Sequence, residues 1–455
     1  MKNKIYRFLV ATLLCITTTI AEGQQWNTLN GGTSDWVFSS GLYNGDLIVG
    51  GKFTAAGGVS ANHIAKWDGG TWSALGGGLN AEVDAIVQYN NKLYVGGQFT
   101  MAGTTNVNFL AKWNGVNWSD VNGDMGGTVT SLVVYNGDLI IGGYFTDADG
   151  FPANYIVGWD GNNWFNLGTG MGGSQGQVMA LQVYNGELYA GGFFTSAGGT
   201  TANHIAKWDG TTWSAVGGGI SNIVYSLTEY NGKLIAGGLF LSAGSVPVNN
   251  IAAWDGTNWS ALGGGVSGTF YQYVFALKPY NGNLIAGGLF TTANGQTVNG
   301  VAKWDGTTWS SMGGGMYYGG ANAFGVQTLC VYGTQLIAGG IFTTAGSTST
   351  GHIAQWDEPL VGINESLLSE SNNLLNYPNP FSSTTTISFQ QNQSEKVELT
   401  LKDITGKTLS VILTKQELPP GDYQIQFDGG EVAAGTYLLE LRKGNTCKVI
   451  RLAIQ

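Results

Sequence analysis

The unit at residues 83–121 reads VDAIVQYNNKLYVGGQFTMAGTTNVNFLAKWNGVNWSDV. Short apolar runs separated by polar turns predict four strands, called a to d: Val83–Tyr89, Leu93–Phe99, Phe109–Trp113 and Trp118–Val121. The turn between strands a and b is Asn-Gly in most units, and this dipeptide tolerates the positive φ of a type I′ hairpin. Runs this short, with frequent Gly, exclude helices, so the unit predicts one four-stranded antiparallel sheet.

The same pattern recurs along most of the chain. A tryptophan that ends strand c, usually followed by Asp-Gly, stands at seven positions: Trp67, Trp113, Trp159, Trp208, Trp254, Trp304 and Trp356. An apolar run ending in Gly-Gly precedes each of them, from Leu47–Gly51 to Leu336–Gly340. Repeats of about 40 to 50 residues with four strands each are typical of the blades of a β-propeller.

The ends of the repeat array predict a closed ring. The seventh unit stops at Trp356 and Asp357 without a strand d, whereas Gln25–Leu29 has the sequence of a lone strand d. A propeller protects its strand edges by closing, so we expect this N-terminal strand to complete the last blade. The predicted fold class is therefore all-β: a seven-bladed β-propeller closed by an N-terminal strand, followed by a small Ig-like β-sandwich.

The chain start is typical of a secretory signal peptide. Lys2, Lys4 and Arg7 precede the apolar run Phe8–Ile16, which is too short to span a bilayer. No later stretch is long and apolar enough to predict a membrane-spanning segment. The predicted divisions are a signal peptide at 1–23, the propeller at 24–358, a polar linker at 359–372 and the sandwich at 373–455.

The repeats resemble those of kelch and galactose-oxidase-type propellers, in which a Gly doublet after an apolar strand and a later Trp mark each blade. The phrases GG-x-F-T-x-A-G and I-A-x-W-D-G-x-x-W also resemble the propeller repeats of secreted bacterial proteins and of Rax2-type fungal cell-surface proteins. This resemblance covers residues 26–357. It implies a fold and leaves the function open.

The tail is similar to the C-terminal sorting domain of the type IX secretion system of Bacteroidetes. The matching phrases over residues 373–455 are YPNPF at 377–381, the Thr run after it, D-x-x-G, P-G-x-Y and A-A-G-T-Y-L-L-E-L. The resemblance implies that the secretion machinery is a partner and that the protein is secreted, extracellular or held at the outer-membrane surface. The alternative is a generic Ig-like module with a binding role of its own.

Composition and motifs narrow the functional classes. The formal net charge of −10 argues against nucleic acid as a partner, because that needs clustered Lys and Arg. His63, His204 and His352 hold the same position in blades 1, 4 and 7, which indicates a tolerant loop position. No nucleophile–base set, metal-spaced cluster or phosphate loop is evident, so no catalytic residue, cofactor or metal ion is predicted.

The candidate site lies in the connections from strand d to strand a, which are longest on entry to blades 4, 6 and 7. The last two are adjacent and aromatic, and their rings suit stacking on sugars or packing against a protein. The candidate ligand-binding residues are Phe270, Tyr271, Tyr273, Tyr317, Tyr318 and Phe324. The alternative is that some of these rings begin strand a and plug the central channel.

The leading functional hypothesis is a non-catalytic binding or adhesion scaffold for a glycan or a protein. One alternative is a glycan-active hydrolase or lyase, which requires two carboxylates within about 10 Å at the mouth of the channel. A structural component of the cell surface is the other alternative.

Overall fold

The computed structural model describes residues 5–7, 25–173, 176–268, 272–319, 321–322, 325–357, 374–377, 381, 383–391, 393–403, 407–430, 432–433, 435–444 and 446–454. The chain divides into two compact units, one at 22–358 and the other at 1–21 with 359–455. Every regular element in the described residues is a strand, so the all-β prediction is confirmed. The predicted linker, and the predicted signal peptide apart from Ile5–Arg7, lie outside the described residues.

In the described residues of unit 22–358, seven four-stranded sheets have the strand order a-b-c-d, and these sheets are called blades 1 to 7. Blade 1 consists of Val37–Tyr43, Asp46–Gly51, Ile64–Trp67 and Trp72–Ala74. Blade 2 consists of Val83–Tyr89, Lys92–Gly97, Leu110–Trp113 and Trp118–Ser119. Blade 3 consists of Thr128–Tyr135, Asp138–Tyr144, Ile156–Trp159 and Trp164–Phe165. Blade 4 consists of Gln177–Tyr184, Glu187–Phe193, Ile205–Trp208 and Trp213–Ala215. Blade 5 consists of Val224–Tyr230, Lys233–Gly238, Ile251–Trp254 and Trp259–Ala261. Blade 6 consists of Tyr273–Tyr280, Asn283–Leu289, Val301–Trp304 and Trp309–Ser311. Blade 7 consists of Val326–Tyr332, Gln335–Gly340, Ile353–Asp357 and Gln25–Thr28.

The first and last blades join into a ring. Gln25–Thr28 pairs antiparallel with the last strand c, and Trp26 stands opposite Trp356. Strand a of each blade contacts strand a of the next, and strand a of blade 7 contacts that of blade 1. Trp26 is buried, and its Nε1 donates to the carbonyl oxygen of Met312 at 3.1 Å. The N-terminal strand therefore closes blade 7, as the repeat array predicts.

A tryptophan pair packs across the hairpin between strands c and d in every blade. The seven pairs have ring centroids between 4.6 and 5.4 Å apart. In the same hairpin of blade 1, Asp68 Oδ1 accepts from the backbone N–H groups of Thr71 and Gly70 at 2.8 and 2.9 Å. These hydrogen bonds, that from Thr71 first, lower the pKa of Asp68 to about 2, so this aspartate serves the turn.

The Gly-Gly doublet of strand b allows the blades to approach each other closely. A Cβ atom placed on Gly191 would lie 2.6 Å from Cγ1 of Val224 in the neighbouring blade. A Cβ on Gly192 would collide with the backbone carbonyl oxygen of Gln177 in strand a of the same blade. The doublet therefore recurs because neither position has room for a side chain.

In every blade, the connection between strands b and c forms a small hairpin of two short strands. From blade 1 to blade 7 the strand pairs are Ala55–Ala56 with Val59–Ser60; Met101–Ala102 with Thr105–Asn106; Asp147–Ala148 with Phe151–Pro152; Ser196–Ala197 with Thr200–Thr201; Ser242–Ala243 with Val246–Pro247; Thr292–Ala293 with Gln296–Thr297; and Thr344–Ala345 with Thr348–Ser349. Each pairs with the connection from strand d that enters its blade, as in the bridge from Leu79 to Ala102. Longer stretches of such pairing involve Met171–Gly172, Val266–Ser267 and Met316–Tyr318, and the last also pairs with Ala321–Asn322. The two sets of connections therefore share one face, called the loop face.

The other unit contains two four-stranded sheets that share one hydrophobic core. One sheet consists of Leu375–Tyr377, Thr384–Gln391, Gly421–Asp428 and Ile5–Arg7, and the other of Glu395–Lys402, Thr408–Leu418, Gly435–Lys443 and Thr446–Ile454. Buried side chains such as Ile387 and Leu399 come from different sheets, which makes this unit a β-sandwich. The strand Thr384–Gln391 begins in the Thr run, whose consecutive threonines hide the alternation of a strand in the sequence.

Truncation of the closing tryptophan tests the ring. We expect Trp26→Ala to lower the free energy of unfolding by about 3 to 5 kcal/mol, because it removes a buried ring and the last blade's edge contact. Urea unfolding followed by circular dichroism measures this change. The matched control is Trp164→Ala, which truncates the partly exposed tryptophan of strand d in blade 3. An equal or smaller loss for Trp26→Ala would contradict closure through this strand.

Candidate functional site

Strand a of every blade contains a β-bulge at the end near the loop face. The pairing with strand b skips one residue directly after a valine in each blade. The skipped residues, called bulge residues, are Phe38, Asp84, Thr130, Met179, Tyr225, Phe275 and Gln327. A bulge redirects its side chain out of the alternating pattern of the strand, so this position is free to differ while the valine before it is constant.

A cavity of about 640 Å³ opens where bulge residues from several blades converge. Its lining residues are Phe38, Glu82, Asp84, Gln98, Thr128, Thr130, Tyr144, Gln177, Met179 and Gln327. They come from blades 1, 2, 3, 4 and 7, and five of them are bulge residues. Because strand a is the innermost strand of each blade, this cavity lies at the mouth of the central channel. It is called the channel-mouth pocket.

Aromatic rings fill the channel on the side of blades 5 and 6. The bulge residues Tyr225 and Phe275 pack with ring centroids 5.3 Å apart. Tyr273 begins strand a of blade 6, stacks on Phe275 at 5.2 Å and meets Tyr225 edge-on at 5.7 Å. This candidate residue from the sequence analysis thus has the position that the plug alternative predicts.

The other candidate rings lie on the loop face. Tyr317 and Tyr318 belong to the loop strand Met316–Tyr318 on entry to blade 7. The hydroxyl of Tyr317 donates to the carbonyl oxygen of Gly314 at 2.8 Å and accepts from Asn299 Nδ2 at 2.9 Å, whereas Tyr318 is exposed. Phe270, Tyr271 and Phe324 lie outside the described residues. The structure therefore divides the three described candidates between the channel and an outer loop.

Two carboxylates of blade 2 line the pocket together. Gln98 Nε2 donates to Glu82 Oε2 at 3.1 Å, and the same amide also hydrogen-bonds to Asp84. Burial raises the pKa of Asp84 to about 6, with a further contribution from the negative charge of Glu82, while the hydrogen bond from Gln98 opposes the shift. The pocket therefore holds a carboxyl group that changes its protonation close to neutral pH.

Sequence reasoning missed Asp84 because it read Val83–Tyr89 as a regular alternating strand. A bulge cannot be recognised from one strand, since it is a difference in residue number between two paired strands. The signal that could have found it is the alignment of the seven repeats. In the seven repeats, the residue after the valine of strand a is Phe, Asp, Thr, Met, Tyr, Phe or Gln. The valine itself and the Gly-Gly doublet of strand b do not vary.

The three histidines adopt left-handed backbone conformations. His63, His204 and His352 have φ values of 62°, 62° and 65°, and the equivalent residues Phe109 and Tyr155 both have 64°. Burial lowers the pKa of His204 and of His352. Among the residues that the structure describes, no group of three or more His, Cys, Asp and Glu side chains is arranged to hold a metal ion. The three histidines therefore share a backbone conformation with the Phe and Tyr residues that occupy the same position in other blades.

Comparison with protein families concerns the tail. Residues 376–455 match the family described as the secretion system C-terminal sorting domain. The chain carries a sorting domain. This domain indicates a secreted or cell-surface protein that interacts with secretion machinery. Within the described part of the chain, no helix is long and apolar enough to cross a membrane.

Comparison with solved and curated proteins adds one distant likeness. A glycoside hydrolase family 43 arabinoxylan arabinofuranohydrolase from Bacillus subtilis, solved in complex with cellotetraose, is similar over 69% of this chain and 95% of that chain. The sequence identity is 11% and the TM-score is 0.23, so the likeness carries no argument about the site. None of the curated proteins matches the chain.

The raised pKa of Asp84 predicts a pH-dependent stability difference. Its folded-state value of about 6 lies above the ordinary 3.8, so the folded protein favours the protonated carboxyl and loses stability as the pH rises through this window. We expect Asp84→Asn to be more stable than the wild type by about 1 to 3 kcal/mol at about pH 8, and the difference to vanish near pH 4. Urea unfolding at several pH values measures it.

The control for this measurement is Asp68→Asn. The pKa of Asp68 is lowered to about 2, so its stabilisation is complete above the ordinary value and is lost only in acid. The stability difference between this variant and the wild type should therefore stay constant between about pH 5 and pH 8. A constant difference for Asp84→Asn over the same range would contradict the raised pKa.

Proposed function

We propose that this protein is a secreted or cell-surface β-propeller that binds a glycan or a protein at its loop face without transforming it. The channel-mouth pocket carries the proposal. Its volume of about 640 Å³ is typical of ligand sites, which occupy about 300 to 1,000 Å³. Five blades contribute to its lining, so the ring of sheets holds the side chains in place without a ligand.

The lining of the pocket favours a carbohydrate. Phe38 and Tyr144, a residue that is 57% exposed, offer ring faces for the apolar side of a sugar. The amide groups of Gln98, Gln177 and Gln327 can donate and accept hydrogen bonds at once. Rings together with bifunctional amides suit a ligand that alternates C–H faces with hydroxyl groups.

The sorting domain supports the cellular part of the proposal. We propose that residues 1–23 serve as the signal peptide and that residues 373–455 direct the chain to the type IX secretion machinery. The propeller at 24–358 is then the part that acts outside the cell. A binding role is compatible with either release or attachment at the outer-membrane surface.

A glycan array with two triple variants tests the proposal. We expect Phe38→Ala with Tyr144→Ala and Gln177→Ala to weaken binding at least about tenfold, because stacking faces and a hydrogen-bonding amide are lost. The second variant, Tyr271→Ala with Tyr317→Ala and Tyr318→Ala, should weaken binding of ligands that extend over the loop face. Affinities are measured by surface plasmon resonance on the best array ligand, with protein ligands sought by pull-down.

The control for this test is Val116→Ala. Val116 is exposed in the hairpin between strands c and d, on the face opposite the loop face, so this variant should bind as the wild type does. Unchanged binding in both triple variants would exclude the loop face as the recognition surface.

A glycan-active hydrolase or lyase is the second candidate, favoured by Glu82 and Asp84 in one pocket. A carboxyl group that keeps its proton up to about pH 6 can protonate a leaving oxygen, and a second carboxylate beside it can act as base or nucleophile. The neutral amide of Gln98 contacts both groups and can fix their relative orientation.

Product formation separates the two candidates. In the catalytic case, polysaccharide digests gain reducing ends or unsaturated products, and Asp84→Asn lowers turnover by at least about a hundredfold while ligand binding persists. The array ligand and related polysaccharides are the substrates to use, with chromatography as the readout. Wild-type protein that binds a glycan and releases no product from it would exclude the catalytic candidate.

A further inference from the structure

The channel-mouth pocket has an uneven distribution of charge. Its two charged lining residues, Glu82 and Asp84, are both acidic and both come from blade 2. No Lys, Arg or His is among the described residues that line it. Blades 3, 4 and 7 contribute hydroxyl, amide, thioether and phenol groups. A bound ligand therefore meets negative charge on one side of the pocket only.

The protein itself does not neutralise this charge within its described residues. No ion pair to Glu82 or Asp84 occurs there, and their shared partner Gln98 is neutral. Lys52 on neighbouring blade 1 has its Nζ over the ring of Trp36, 4.9 Å from the centroid. The two carboxylates thus stand together in a partly closed cavity with no basic partner.

A cation is the ligand group that would relieve this arrangement. Burial and mutual repulsion both act against the ionised pair, as the raised pKa of Asp84 shows. A positive group placed beside the pair removes the repulsion and can form hydrogen-bonded ion pairs with the carboxylate oxygens. The faces of Phe38 and Tyr144, which line the same pocket, also attract a cation. The net charge of −10 favours the approach of cations and disfavours anions.

The remaining lining decides what carries the positive group. A lysine side chain is a thin aliphatic stem, and it would leave the amides of Gln177 and Gln327 and the hydroxyl of Thr128 without partners in the pocket. A sugar ring offers several hydroxyl groups to these side chains and an apolar face to the rings. The lining as a whole therefore suits a pyranose with an ammonium substituent.

On the basis of the proposed glycan-binding function, we propose that the channel-mouth pocket selects glycans with a free amino group, and that the ammonium of an amino sugar binds between Glu82 and Asp84. Gln98 is a positioning residue that holds the two carboxylates. An N-acetylated sugar of the same length lacks the charge and gains bulk at the position that the carboxylates contact. Selectivity between these two ligands is the property that the pocket confers.

Paired oligosaccharides test this selectivity directly. The probes are a glucosamine oligomer and the N-acetylglucosamine oligomer of equal length, titrated by calorimetry into the full chain at about pH 6.5. We expect the free amine to bind at least about fivefold more tightly, and the preference to fall as sodium chloride rises from about 0.02 to 0.5 M. Asp84→Asn and Glu82→Gln should each remove most of the preference for the free amine.

Two controls make the outcome unambiguous. Glu229→Gln removes one negative charge from the exposed end of strand a in blade 5, away from the loop face, and should keep the preference. Thermal unfolding of each variant shows that it is folded.

A lysine-rich peptide of similar charge is the third probe and should bind more weakly than the amine oligomer.

Each other outcome overturns a distinct statement. Equal affinity for the two oligomers would refute the amino-sugar inference and leave glycan binding intact. Binding of the peptide in preference to both oligomers would refute the assignment of the positive charge to a sugar. Absence of binding to both oligomers, together with a blank glycan array, would refute glycan binding itself.

Discussion

The pairing of Gln25–Thr28 with Ile353–Asp357 is the interaction on which the rest of the propeller depends. It gives blade 7 its fourth strand, and strand a of blade 7 contacts strand a of blade 1. The joint is buried, with Trp26 against Trp356 and one hydrogen bond from its indole to Met312. Because the ring is closed, the innermost strands surround one axis, and the bulge residues of different blades can line a common cavity.

The seven blades divide each repeat into a constant frame and one variable position. The Trp pair, the Gly-Gly doublet and the valine of strand a recur because packing between and within blades leaves no room for alternatives, as Gly191 and Gly192 show. The bulge residue is released from this packing and projects into the channel. Its variation from Asp84 to Phe275 gives one half of the channel polar groups and the other half packed rings. Function can therefore change at this position without disturbing the frame.

The polar half of the channel departs from what stability alone favours. Glu82 and Asp84 are held side by side, partly buried, with Gln98 as their shared partner. The seven hydrophobic clusters of the propeller stabilise the fold enough to tolerate this unfavourable pair of carboxyl groups. Local loss of stability of this kind is concentrated at functional sites. The same reasoning distinguishes Asp68, whose pKa is lowered by hydrogen bonds from its own turn and which stabilises the hairpin.

The sequence alone determined the fold class, the closing strand and the sorting domain, because each follows from local patterns: period-two alternation, Asn-Gly turns, repeat spacing and a short family phrase. It directed attention to the aromatic connections, and the structure has Tyr273 packed against Tyr225 and Phe275 in the channel. The pocket at Asp84 was decided by the tertiary structure. A bulge exists only relative to the partner strand, and a channel exists only when the blades close around an axis. The proximity of Glu82, Asp84, Thr130 and Gln327 is therefore a property of the ring, and no single repeat contains it.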